Sequence, residues 1–200
     1  KIKYLLEEYH NEDSATWKTE VNTWLNTEIL GSIIIDKDEI KKQLLGESDL
    51  DGDLLRAMKL PVYRLPKKSL FDTQAIQYPD EFDEHHIFPK NWIINNPNNN
   101  NLWGTWAKPD GSRQEQAKNC LVNMTPLNKV DNRKKWREKA PSTAISQHLN
   151  SSKHAKGKDI WVERFITQNG HDFLRNDKVK DFMEERAESI ADWLINQTKI

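Results

Sequence analysis

The sequence predicts an α+β fold that is mainly helical and encloses a small core of two strands followed by a helix. Three observations carry that expectation. Apolar residues recur at helical spacing near the start of the chain and along its last stretch. Two short segments, His85 to Phe88 and Leu121 to Leu127, read as strands on either side of a polar interval. Asn128, directly after the second, is a residue type that caps helices.

Taken in order, Trp17, Val21, Trp24, Leu25 and Ile29 predict an amphipathic helix over residues 15–30. Asp36 and Glu39 resemble a capping box and Gly46 a stop, giving a second helix. A third is expected from about Leu50 to Leu60, ended by Pro61. Pro79 to Asp83 forms a loop or strand entry, and Asn95 to Asn101, almost pure asparagine, a surface loop. Residues 102–118 hold Trp103, Trp106 and the turn signal Pro109, Asp110, Gly111; packing against the core is favoured over contact with a ligand. Asn128 caps a helix that carries Asn132 in its first turn and Trp136 on the same face. Ser142 caps a short helix after Pro141, and Ile160 to Ile166 forms another before Gly170. Finally Val179, Phe182, Met183, Ile190, Leu194 and Ile195 keep one apolar stripe over about five turns. The chain therefore divides into a helical lead-in (1–80), a core (81–150) with a loop insert at 95–118, and C-terminal helices (151–200) that pack on the core.

Composition narrows the function classes. The 200 residues are 36% hydrophobic and 30% charged, enough for one domain with a sizeable core. The lone cysteine, Cys120, excludes an internal disulfide and a multi-cysteine zinc site, pointing to a reducing, cytoplasmic setting. No apolar run approaches the length of a membrane span, and no signal-peptide pattern is present. The first residue is Lys1, which reads as a piece of a longer protein. Net charge is only −1, but it is unevenly spread: residues 1–84 carry 11 basic and 18 acidic side chains, residues 108–158 carry 12 and 4. Arg133, Lys134, Lys135, Arg137 and Lys139 lie in that basic stretch, and such a local patch is what a phosphate backbone requires. A solvated helix face is the ordinary fate of a charge run; the neighbouring Asn132 tips this one toward phosphate contact.

The most telling residues are Glu84, His85, His86, Ile87, Phe88 and Pro89, followed by Asn123 and, nine residues later, Asn132. Hydrolysis of a phosphodiester needs an activated water, a stabilised phosphorane and a neutralised leaving oxygen, which one divalent ion and one histidine can supply. His85 to Pro89, the stretch Asn119 to Arg133 and Ala140 to Ser142 together resemble the HNH nuclease domain of GmrSD-like, modification-dependent restriction enzymes and related antiphage nucleases. Leu54 to Tyr78, with Phe71, Asp72, Thr73 and Gln74, resembles that family's helical lead-in, and Phe182 to Arg186 its terminal Phe-x-x-x-Arg helix. The resemblance spans roughly residues 50 to 195.

It implies a ββα-metal core in which His86 is the general base, His85 and Asn132 hold the metal, and Asn123 orients the loop and the base. The register leaves one alternative open, with Glu84 and His85 as ligand and base, although Ile87, Phe88 and Pro89 anchor His86 in that role. An imidazole ligand suits manganese, nickel, cobalt or zinc better than magnesium. The implied partners are DNA, from phage or carrying a modification, and an N-terminal half of the same protein; a homodimer is compatible. RNA is a further conceivable substrate. The competing expectation is a scaffold that has lost turnover and serves as a DNA-binding or partner-binding module. His10, His148, His154 and His171 lack a partner pattern and read as surface or packing residues, with His154 the one that could touch phosphate; the eight tryptophans mostly mean core.

Overall fold

The computed structural model describes residues 36–46, 59, 61–63, 68–71, 82–96, 120–149 and 158–198. The expected helices at 15–30 and from Leu50, the insert with Trp103 and Trp106, His10 and His154 lie outside these residues or largely so.

Asp36 starts α1 (Lys37–Leu44) by accepting a hydrogen bond from the Asp38 N–H at 2.9 Å, and Gly46, at φ 70°, follows its end. Helical conformation does not stop at Pro61, since residues 59 and 61–63 are all helical. The ring's fixed φ is compatible with helical backbone, so a proline does not by itself end a helix.

Strand β1 (Phe82–His86) pairs antiparallel with β2 (Met124–Asn128), His86 opposite Met124 and Asp83 opposite Leu127. Both strands sit differently from their sequence expectation. Ile87 and Phe88 leave the strand as a bend, and residues Leu121–Asn123 form a 3-10 turn before β2 begins. The reason is shared: the Asn123 side chain takes over the backbone of Phe88, which therefore cannot continue a ladder. Pro89 then opens an unanticipated short helix, α2 (Lys90–Asn95).

After β2, Asn128 accepts from the Val130 N–H at 2.9 Å and caps α3 (Lys129–Asp131), which passes into a π turn over Asn132–Trp136. The order is thus strand, strand, helix, within a mainly helical α+β chain. Helix α4 (Pro141–His148) has Pro141 in its first turn, but Ser142 does not cap it. Ser142 is itself held from outside, its N–H and hydroxyl both donating to the Asp177 carboxylate at 2.9 and 2.6 Å.

Helix α5 (Lys158–Val162) is shorter than expected, and Gly170 lies inside α6 (Gln168–Arg175), which Thr167 caps. Gly170 sits against α7: a Cβ there would come within 2.7 Å of a Glu185 carboxylate oxygen, so a larger residue would have to displace that side chain. Helix α7 (Val179–Thr198) buries Val179, Phe182, Met183, Ala187, Ile190 and Ala191 along the expected stripe. It packs against α6, α1 and the 3-10 turn. Lys37 pairs with Glu188 and Asp192, and Lys41 with Glu188, tying α1 to α7. Among the described residues, no helix is long and apolar enough to cross a membrane.

Candidate active site

Alternation along β1 sends Asp83 and His85 to one face and Glu84 and His86 to the other. The first face looks onto the helix that follows β2. There Asn132 donates its amide to an Asp83 carboxylate oxygen at 3.2 Å, and the Trp136 ring meets the His85 ring edge-on at 5.3 Å. His85 is buried, and its Nε2 has no hydrogen-bond partner among the described residues. Burial pushes its pKa down to about 3; a hydrogen bond with the Asn132 side chain works in the opposite direction, and the neighbouring His86 adds to the lowering. The imidazole is therefore neutral at ordinary pH, the form in which histidine ligates metals.

This face brings His85 and Asn132 together and adds Asp83, which sequence reasoning missed. The signal was available: Asp83 stands two residues before His85, the period of a strand. Among the described residues there is no group of three His, Cys, Asp or Glu side chains that could hold a metal. One imidazole, one carboxylate and one amide oxygen nevertheless form a donor set that fits a divalent ion completing its shell with water and phosphate. The buried, partnerless Nε2 is the observation that favours the fit.

Asn123 is fully buried and bridges to Phe88 by two bonds: Oδ1 accepts from the Phe88 N–H at 2.8 Å, and Nδ2 donates to the Phe88 carbonyl at 3.0 Å. The Ile87 N–H donates to the Asn123 carbonyl at 2.7 Å, and the Trp136 indole N–H donates to the Ile87 carbonyl at 3.0 Å. The backbone just after His86 is thus fixed from both the 3-10 turn and the π turn. Arg186 of α7, fully buried, supports the arrangement by donating Nη1 to the carbonyls of Val122 and Met124 at 2.6 and 2.8 Å, on either side of Asn123.

His86 lies on the opposite face of β1, half-buried in a cleft of about 270 Å³ lined by Lys59, Tyr63, Glu84 and Lys90, with Leu121 and Met124 as its apolar wall. Burial raises the pKa of the Tyr63 hydroxyl, and the Glu84 charge adds to the effect. Lys59, Tyr63 and Lys90 had no sequence signal, being far from the motif or outside the basic run.

Of the basic residues, Arg133, Lys134 and Arg137 are exposed. Lys135 is turned inward, bridging the buried Asp131 at 2.6 Å and standing 4.9 Å from the centre of the Phe71 ring. Asp131 also accepts from Ser69 at 2.6 Å, so this pair fastens residues 68–71 to the helix. Lys139 lies 2.9 Å from His148 Nε2, lowering that histidine's pKa in addition to its desolvation. His171 packs against Trp161 at 4.8 Å. Comparison of the chain with family models, curated proteins and solved structures finds no match.

Proposed function

We propose that this chain is a metal-dependent endonuclease domain of the HNH type that hydrolyses phosphodiester bonds in DNA, acting in the cytoplasm as part of a bacterial modification-dependent restriction or antiphage protein. The observation that carries the reading is the convergence of Asp83, His85 and Asn132 on one face of the hairpin, with Asn123 clamping the backbone that follows His86. His85 and Asn132, with Asp83, would hold the ion.

When bound, a divalent ion offsets negative charge on the phosphate and on the leaving oxygen. His86 stands on the face of β1 opposite Asp83 and His85, so this chemistry requires the scissile phosphate at the end of the strand, where both faces are reached. There a His86 ring nitrogen accepts the proton of the attacking water, and the water oxygen bonds to phosphorus as the bond to the leaving sugar oxygen breaks. The leaving oxygen takes a proton from solvent, so no covalent enzyme intermediate forms. Asn123 keeps His86 in place by fixing Phe88, while Arg133, Lys134 and Arg137 meet the flanking phosphates. Manganese is the first choice of ion because of the imidazole ligand, with magnesium, nickel, cobalt and zinc as alternatives.

Nicking of supercoiled plasmid by the purified chain in manganese, compared with His86→Ala, tests the proposal. Loss of nicking in the variant with DNA binding retained is expected. Equal nicking by both proteins overturns it, and absence of nicking with intact DNA binding leaves a binding module on the same scaffold.

A further inference from the structure

The cleft beside His86 is built from three separate parts of the chain. Lys59 and Tyr63 come from the helical residues ahead of the hairpin, four positions apart and so side by side on one helix face. Glu84 and His86 come from β1, and Met124 is the residue paired with His86 across the hairpin. Lys90 is the first residue of α2, and Leu121 opens the 3-10 turn.

Two lysines and one glutamate line the cleft, so it carries a positive balance although residues 1–84 are acidic as a whole. Its cations disfavour a second metal ion, and its apolar wall is more than an inorganic anion needs. Its volume of about 270 Å³ lies below the range typical of pockets for larger organic ligands, and suits a phosphate with one attached pentose.

We infer that this cleft is a binding site for a single phosphate–sugar unit of the DNA strand, with Lys59 and Lys90 holding the phosphate and Leu121 and Met124 seating the sugar. The inference rests on the nuclease reading for its ligand and adds two binding residues outside the basic run. The part of the chain before the hairpin thereby supplies substrate contacts and is more than a scaffold. Glu84, beside the phosphate seat, limits the cleft's affinity for free anions, so binding depends on the rest of the strand.

The test is fluorescence anisotropy of a labelled DNA duplex, titrated with the whole chain in EDTA over a range of salt, alongside plasmid nicking in manganese. The Lys59→Ala/Lys90→Ala double variant is expected to bind about tenfold more weakly, and its plot of log affinity against log salt to be shallower by about 0.9, the loss of one phosphate contact. Lys59→Arg/Lys90→Arg is expected to keep the wild-type slope. Lys180→Ala, which removes a lysine paired with Glu184 on α7, serves as the control and keeps it too. An unchanged slope in the alanine double variant, or the same loss in the control, overturns the inference. If the slope is unchanged while the wild type nicks, this site is wrong and the nuclease reading stands. If the slope falls while the wild type fails to nick, the site stands and the nuclease reading falls.

Discussion

Both polar atoms of the Asn123 side chain are committed to the backbone of Phe88, one accepting its N–H and the other donating to its carbonyl. No other residue type offers that pair of groups at that reach, since aspartate lacks the donor and leucine both. Asn123→Leu would leave the two Phe88 groups buried without partners, at about 1–3 kcal/mol each. Thermal unfolding is expected to show a fall of several degrees, and nicking to drop further than the loss of folded protein explains. Wild-type stability in the variant would refute the clamp.

His86→Ala is expected to lower the nicking rate by about a hundredfold to ten-thousandfold, the usual worth of a general base. Its duplex affinity in EDTA should stay within about twofold of wild type, because phosphate contacts come from other side chains. A parallel loss of binding and cutting would mean that His86 holds substrate rather than a proton.

Asp83→Ala, His85→Ala and Asn132→Ala should each weaken manganese binding measured by calorimetry, His85→Ala by at least about tenfold. Wild-type nicking should be at least as fast in manganese as in magnesium. Unchanged metal affinity in all three variants would remove them as ligands, and a strict magnesium preference would count against an imidazole in the shell.

Burial holds folded His85 at about 3, below its ordinary 6.5. On acidification the unfolded chain takes up this proton first, so the contribution to stability is complete above 6.5 and declines below it until His85 protonates near 3. The slope is about 1.4 kcal/mol per pH unit for the one group. Denaturant melts in EDTA between about pH 6.5 and 4.5 should therefore show a flatter decline for His85→Gln than for wild type. Parallel curves would assign the acid sensitivity to other groups.

Arg186 donates to three carbonyls, those of Arg164, Val122 and Met124, from a fully buried position. Arg186→Lys cannot reproduce that fan of bonds with one ammonium, so it should destabilise by about 2–4 kcal/mol in denaturant melts. A change below about 1 kcal/mol would show that the turn around Asn123 holds without it.

What the sequence made legible was local. Asp36 and Asn128 cap helices through their own side chains, and the stripe on α7 needs only its own spacing. What it hid was settled by distant partners. Ser142 reads as a cap until Asp177, thirty-five positions away, takes its hydroxyl. Gly170 reads as a stop until the fold sets it inside a helix against the Glu185 side chain, fifteen positions away. The strand boundary at Phe88 depends on Asn123, and the Phe71 ring beside the Lys135 ammonium comes from sixty-four positions away. The site divides in the same way: the motif pointed to His85, His86, Asn123 and Asn132, whereas Lys59 becomes a neighbour of His86 only through the fold, and Lys90 joins it through the local turn into α2.

The pairing of His86 with Met124 brings together strands that no tight turn connects, because a long interval of sequence separates them. The entropy of closing such an interval grows only with the logarithm of its length, so doubling it costs about 0.6 kcal/mol. The length of the stretch between α2 and Cys120 therefore bears only weakly on the entropy of closing the hairpin. The pairing of β1 with β2 works as a clasp whose closing cost is nearly blind to how much sequence lies between its two halves.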